Sequence, residues 1–507
     1  MEPEIQIQET LSPTEEKFEE FRKKIGFFLG PAGFLIFYFL PFSSLTYQAH
    51  ALVAVISWVV LWWITEPVPI PVTALLGAIL CIILGVGDAK QVFSSFADPT
   101  IYLFMGSFIV AKAMSVHELD KRFAYSILSI RFLQKNTFRI LLTFGGISAF
   151  ISMWISNTAT TAMMLPIGIG LISIIERISD NSKKSTKFAT GMMLMAAYAA
   201  STGGIGTPVG SPPNLIGLAM IEKFTQITIP FFKWMTFAVP ILIIMYVILF
   251  FLIYFLHKPE VKSIKSSRDL IPQLKINLGK WTKGQRNTLI AFSVTVLLWV
   301  FPGIISVIYG TSSREYQIFN GSVPEASAAI IGSILLFLLP VSWKEKKFTI
   351  TWKQAIDIDW GTLILFGGGI TLGNLMFQTK LADAVGKGLL QFSGVESMWG
   401  ITLAAIFISI IVSEATSNTA SANMVVPVII SICLAAGINP LPPAIGATLG
   451  ASWGFMLPVS TPPNAIVYGS GLVPITKMIK TGIIFDILGG LLIWLMLRLL
   501  MPIVGLS

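Results

Sequence analysis

The chain has 507 residues, 54% of them hydrophobic and only 12% charged, at a mean hydropathy of +0.77. Soluble proteins carry about a quarter charged residues, so a soluble globular fold is excluded. The formal net charge of +9 does not mark a nucleic-acid partner, because the basic residues collect between apolar runs, where positive charge orients a membrane protein.

Cys81 and Cys433 stand far apart in apolar runs, and His50, His117 and His257 are scattered. Neither a disulfide framework nor a metal cluster follows from them. Residues Glu2 to Lys24 lack a signal-peptide pattern. They read as a cytoplasmic tail with a short amphipathic piece, Phe18 to Ile25.

Many segments are apolar for long enough to cross about 30 Å of hydrocarbon, which makes the chain an all-α polytopic membrane protein. Spans are expected at Gly26 to Phe42, Ala51 to Ile64, Ala74 to Val86, and from Asp98 to Met114. Between the second and third lies Thr65-Glu-Pro-Val-Pro-Ile-Pro-Val-Thr73, a bend at a membrane surface. His117 to Arg131 mixes charged and apolar residues and fits a helix lying in the interface. Lys112 and His117 are expected at the membrane surface without a transport role.

Asn136 to Ile155 and Ala159 to Ile175 flank Ser156-Asn157-Thr158. They read either as two spanning helices with an external turn or as one re-entrant hairpin, and hydropathy does not choose between these. After the charged loop Asn181 to Lys187, a helix from Phe188 to Ser201 runs into Thr202-Gly-Gly-Ile-Gly-Thr-Pro-Val-Gly-Ser-Pro-Pro-Asn214. No α-helix continues through that many glycines and prolines, yet apolar sequence resumes at Leu215. The helix is therefore broken rather than ended. A span from Phe231 to Leu256 precedes the most basic stretch, Lys258 to Arg286, placed in the cytoplasm. Spans at Leu289 to Ile308 and Ala326 to Pro340 lead to a second cytoplasmic loop at Trp343 to Lys347.

The second half repeats the first. Asp359 to Met376 echoes Asp98 to Met114, Thr379 to Leu390 repeats the interfacial piece, and Ser417-Asn418-Thr419 repeats the first tripeptide. Leu457-Pro-Val-Ser-Thr-Pro-Pro-Asn464 then matches Thr207-Pro-Val-Gly-Ser-Pro-Pro-Asn214. Gly367-Gly-Gly369 reads as close helix packing rather than phosphate binding. If each hairpin enters and leaves on one side, five spans separate equivalent points, and an odd number inverts the second copy. That places the tail and both basic loops inside the cell, and Gly505 to Ser507 outside.

Interrupted helices in both halves of an inverted repeat point to a transporter's central site. The breaks free backbone groups that lipid cannot satisfy. Carbonyl, hydroxyl and amide oxygens suit a small cation, and helix N-termini just after each Ser-Asn-Thr suit an anion. No Lys or Arg lies in or beside these motifs, so an anion there needs helix dipoles, neutral donors and co-bound cations. Glu414, the one acid in them, reads either as a structural carboxylate at a helix end or as a proton- or cation-linked group.

Two Ser-Asn-Thr hairpins, two Pro-Pro-Asn loops and Glu66-Pro-Val-Pro69 resemble the divalent anion:sodium symporter family, the group of dicarboxylate and citrate carriers that includes the INDY-type proteins. The resemblance covers nearly the whole chain. It implies a homodimeric elevator transporter with a scaffold domain and a mobile domain carrying two re-entrant hairpins and two unwound helices. Residues 1–25 would be the tail, 26–133 scaffold spans with the first interfacial helix, and 134–257 the first transport elements with their following span. A basic loop at 258–287 would separate these from scaffold at 288–392 and the second transport elements and last span at 393–507.

By position, the resemblance implies substrate carboxylates at Asn157, Thr158, Ser211, Asn418, Thr419, Thr461 and Pro462. One sodium site would use Ser152, Ser156, Asn157 and Gly210, and the other Ser413, Thr416, Ser417, Asn418 and Ser460. The bland alternatives are a hairpin cap for each asparagine and self-bonding mid-helix serines for Ser152 and Ser413. The expected function is sodium-coupled transport of C4-type di- or tricarboxylates (succinate, malate, fumarate or 2-oxoglutarate) across a plasma or inner membrane, with no cofactor. Family exchangers share much of the pattern, so sodium-independent dicarboxylate exchange is the alternative. A membrane-embedded enzyme needs a nucleophile–base pair or metal cluster, for which the histidines and cysteines are poorly placed. Two closed hairpins suit alternating access better than a passive channel, and no nucleotide-binding motif supports drive by ATP.

Overall fold

The computed structural model describes residues 13–42, 45–129, 136–178, 186–260, 279–310, 313–393 and 397–506. Most of the basic stretch Lys258–Arg286, most of the loop Asn181–Lys187, the end of the first interfacial segment, the first twelve residues and Ser507 lie outside the described residues. Among the described residues, eight helices are long and apolar enough to cross a membrane.

Helix α1 (Pro13–Phe39) is continuous, so the amphipathic Phe18–Ile25 stretch and the first apolar run are one helix. It packs on α2 (Tyr47–Thr65). Thr46 caps α2 by accepting from Ala49 N at 3.2 Å, and Glu66 ends it in the left-handed region at φ 46°. The proline-rich bend then feeds α3 (Ile70–Ile83), which carries proline in its first turn, where no N–H is needed. A short α4 (Ala89–Ser94) leads to α5 (Pro99–Val116), capped by Asp98, and to α6 (Leu119–Leu128).

The first Ser-Asn-Thr lies between α7 (Thr137–Ser152) and α8 (Asn157–Ile178). Helix α9 (Thr186–Gly204) stops, a 3₁₀ turn covers Pro208–Gly210, and α10 (Pro212–Thr225) resumes. Then come α11 (Phe231–Leu256), α12 (Lys283–Tyr309) with a Thr282/Gln285 capping box, α13 (Arg314–Ser322) and α14 (Glu325–Leu338). A two-stranded hairpin pairs Pro340–Ser342 with Lys347–Phe348, in a stretch that reads from sequence as plain loop. After α15 (Trp352–Ala355) the order recurs, with α16 (Trp360–Gln378) and α17 (Leu381–Ser393). The second hairpin is α18 (Met398–Ala415) and α19 (Asn418–Ala435). The second broken helix is α20 (Leu441–Ala451), a 3₁₀ turn at Pro458–Ser460 and α21 (Pro462–Gly469), and α22 (Ile475–Ile503) closes the chain.

The hairpins and broken helices interlock. Within each half, α7 and α8 pack on α9, and α18 and α19 pack on α20. Between halves, α21 packs on α8 and α9, while α10 packs on α19 and α20. These elements share one large apolar cluster. A second cluster joins α2, α3, α16 and α17, and a third joins α5, α12 and α14. Gly368 faces Ala74, where an added Cβ would lie 2.7 Å from the Ala74 Cβ, so the glycine run does serve close helix packing. The outer faces stay apolar: Leu297, Phe301, Ile304, Val307 and Ile308 of α12 are all exposed. Water would not tolerate so large a patch, but a bilayer requires one.

Candidate functional site

Each broken helix is held open by one asparagine. Asn214 Nδ2 donates to Gly204 O at 2.9 Å and Thr207 O at 2.8 Å, bridging two carbonyls across the break. Asn464 repeats this with Gly454 O at 3.1 Å and Leu457 O at 3.0 Å. Both asparagines are fully buried. They are structural pins, a function the Pro-Pro-Asn spacing alone does not disclose.

The hairpin tips divide their labour differently from the bland expectation. The caps are the serines: Ser156 Oγ accepts from Ala159 N and Ser417 Oγ from Ala420 N, both at 3.3 Å. Asn157 and Asn418 are thereby released from capping. Their Oδ1 atoms accept from Ser152 Oγ and Ser413 Oγ, each at 2.7 Å. Ser413 Oγ also reaches Ala451 O at 2.9 Å. Neither serine is therefore a simple self-bonding mid-helix residue.

All seven residues expected to meet substrate line one cavity of about 590 Å³: Asn157, Thr158, Ser211, Asn418, Thr419, Thr461 and Pro462. The cavity wall contains the first residues of α8, α10, α19 and α21. Four helix N-termini thus converge on it, each presenting the positive end of a dipole, and α8 and α19 also present N–H groups that the Pro-Pro starts of α10 and α21 lack. That environment suits an anion without a basic residue in the motifs.

The helix C-termini gather beside it. An added Cβ at Gly210 would lie 2.5 Å from Gly204 O, 2.9 Å from Met153 O and 3.0 Å from Ser152 O. Three carbonyl oxygens therefore crowd a space that only glycine leaves open. Gly210 lies next to the Ser152–Asn157 pair, so the first oxygen set is brought together. In the second half Ser460 stands where Gly210 stands in the first. Its Oγ donates to Glu414 Oε2, and Glu414 Oε1 accepts from Met456 N at 2.8 Å. Thr416 Oγ1 donates to Val412 O at 2.7 Å, within its own helix turn. Thr416, Ser417 and Ser460 also line a second cavity of about 330 Å³, which shares Ser417, Thr461 and Pro462 with the first.

Two features escape the sequence reading. Glu414 is buried beside a second buried carboxylate, Asp486 of α22. A lone acid in a 29-residue apolar span was the available signal. The second is the place of Lys112, which lines the large cavity together with Asp357 and Asp359. Its Nζ lies 2.6 Å from Asp357 Oδ2, and the ammonium holds that carboxyl below the usual carboxylate range. His117 behaves as expected of a residue outside the site: its Nε2 lies 2.6 Å from Thr349 O.

The family described as the sodium:sulfate symporter transmembrane region matches residues 23–506. The chain belongs to that family. The protein is accordingly a multi-pass membrane transporter, as the resemblance to divalent anion:sodium symporters implied, rather than an enzyme. It is 34% identical over 489 residues to a sodium-dependent dicarboxylate transporter, SdcS, of Staphylococcus saprophyticus, covering 94% of this chain and 91% of that one. A transporter with the same description from Staphylococcus aureus strain USA300 is 33% identical over 491 residues, covering 95% and 91%. In fold the chain is similar to the YdaH transporter of Alcanivorax borkumensis, with TM-score 0.54, 13% identity, and coverage of 90% of this chain and 99% of that one. It is also similar to MtrF of Neisseria gonorrhoeae, with TM-score 0.52, 11% identity and coverage of 94% and 96%.

Proposed function

We propose that the protein is a sodium-coupled symporter of C4-type dicarboxylates. The observation that carries this is the convergence of four helix N-termini and the side chains of Asn157, Thr158, Ser211, Asn418, Thr419 and Thr461 on one cavity. Each end of a short dianion would meet one Ser-Asn-Thr and one Pro-Pro-Asn loop, with Pro462 shaping the floor. The carbonyl cradle at Gly210, with Ser152, Ser156 and Asn157, would take one sodium ion. Ser413, Thr416, Ser417, Asn418 and Ser460 would take another. Because Asn157 and Asn418 belong to both sets, bound sodium would orient the amide that meets the carboxylate, which couples the two ligands through one side chain each. Descriptions of the relatives support the same solutes.

The domain division drawn from the sequence belongs to this reading. The two interlocked hairpin–broken-helix units would form the mobile transport domain of an elevator, and the α2–α3–α16 and α5–α12–α14 clusters its scaffold, assembled as a homodimer. Five spans lie between the equivalent breaks, supplied by α9–α10, α11, α12, α14 and α16. That count supports an inverted repeat in the cell or inner membrane, with the N-terminus inside and the C-terminus outside.

The test is radiolabelled succinate uptake into proteoliposomes, with lumen contents and outside salt varied independently. Uptake into empty vesicles that requires an inward sodium gradient is expected. Uptake that ignores sodium and needs dicarboxylate inside would replace symport with exchange, and no succinate uptake would remove the substrate assignment. A second prediction concerns the cradle. Gly210→Val places side-chain carbon against three carbonyls and is expected to raise the sodium concentration for half-maximal uptake about tenfold or more, the loss of roughly one ion–oxygen interaction set. Unchanged sodium activation would remove Gly210 from the site.

A further inference from the structure

Three charges on the wall of the large cavity have no part in the binding scheme above: Lys112 on α5, and Asp357 and Asp359 on the segment leading into α16. Asp359 is occupied locally. Its Oδ1 accepts from Thr362 N at 3.0 Å and its Oδ2 from Thr362 Oγ1, capping α16. Asp357 has no such role in a helix. It reaches across 245 residues of sequence to Lys112 Nζ at 2.6 Å.

The pair is unevenly buried. The Asp357 side chain is 74% exposed and that of Lys112 31%. Ion pairs so open to water hold weakly, so this one opens at little cost. A tie between two helices would be better placed out of water. Lys112, with its stem packed and its ammonium at the wall, is the one basic side chain among the described residues lining this cavity. A doubly negative solute approaching the neutral amide and hydroxyl donors passes two carboxylates and this single cation.

We propose that Lys112 is the substrate-attracting cation of the cavity and that Asp357 holds it in reserve. The ammonium leaves Asp357 for a carboxylate of the arriving dianion and returns when the solute departs. This rests on the reading of the cavity as a dicarboxylate site.

The signs of the single substitutions separate this role from a structural one. Lys112→Gln leaves two carboxylates facing the dianion, whereas Asp357→Asn leaves a free ammonium facing it. A tie between α5 and the start of α16 would instead be weakened alike by either change. Initial succinate uptake into proteoliposomes at fixed, saturating sodium reads the difference as KM against maximal rate. Lys112→Gln is expected to raise KM about tenfold and Asp357→Asn to lower it about threefold, in the range by which charges focus ions into clefts. The double variant should fall between them, and Lys112→Arg should restore a KM near wild type. Raising ionic strength with N-methylglucamine chloride should shrink all the differences.

Equal-direction changes in KM for the two single variants, or none, would overturn the proposal while leaving the dicarboxylate reading intact. Wild-type protein that takes up no succinate would remove both. If Lys112→Gln does not yield folded protein, Asp357→Asn decides alone: a lowered KM supports the role and an unchanged or raised one overturns it.

Discussion

Purified Asn418→Ala is expected to take up succinate at least about 100-fold more slowly than wild type while keeping its gel-filtration profile. Asn418 stands in both the anion set and the second cation set. Hydrogen bonds to charged groups contribute about 1.5–3 kcal/mol each, so losing one on each side removes about 3 kcal/mol or more. Folding should survive because the N-cap of α19 is Ser417, not Asn418, and Ser413 Oγ retains Ala451 O. Asn157→Ala should behave alike through Ser156. Wild-type uptake by either variant would sink the site assignment.

Asn214→Leu should give the opposite readout, a collapse of stability rather than a selective loss of transport. Its amide serves Gly204 O and Thr207 O in an interior from which water is excluded. Leucine fills similar space but strands Gly204 O and leaves Thr207 O with only the longer bond from Gly210 N at 3.3 Å. At about 1–3 kcal/mol for the stranded group and about 0.5–1.5 kcal/mol for the lost second bond, the loss is about 1.5–4.5 kcal/mol, a large share of a typical domain's stability of about 5–15 kcal/mol. Asn464→Leu should match it in the second half. Melting of the detergent-purified protein, followed by gel filtration, checks both, and an unshifted midpoint would show that the carbonyls find other donors. The same residue type, once in the broken helix and once at the hairpin tip, thus has two separable duties.

These duties mark the limit of what the sequence discloses. The breaks were legible because glycine and proline runs inside apolar segments have few backbone solutions, and their recurrence in matching flanks made chance untenable. The long spans were legible from length and hydropathy; Phe231–Leu256 has the same ends in the structure. Which residue of Ser-Asn-Thr caps and which faces the cavity was not legible, because a shift of one residue separates the two roles and both types cap well. The place of Lys112 on the cavity wall was hidden for a different reason. In a membrane helix neither face is marked by water, so hydropathy does not say which way position 112 turns, and its partner lies in the other half of the chain. The strands at Pro340–Ser342 and Lys347–Phe348 are hidden by a turn of charged residues too short to show alternation.

The crossed packing of α21 on α8 and of α10 on α19 restricts how a bound solute can be released. Prying the halves apart would carry Thr158 away from Thr461 and dismantle the pocket instead of opening it. The opposite wall of the same cavity is built by Phe108, Ala111 and Lys112 of α5 and by Asp357, Ile358, Asp359 and Thr362. On the domain division proposed above, the seam between moving block and scaffold would run through the cavity itself, along one face. A solute held by the four helix starts would, on the elevator reading proposed above, travel with its donors as cargo, and the rim it slides past would set drag, leak and selectivity filtering.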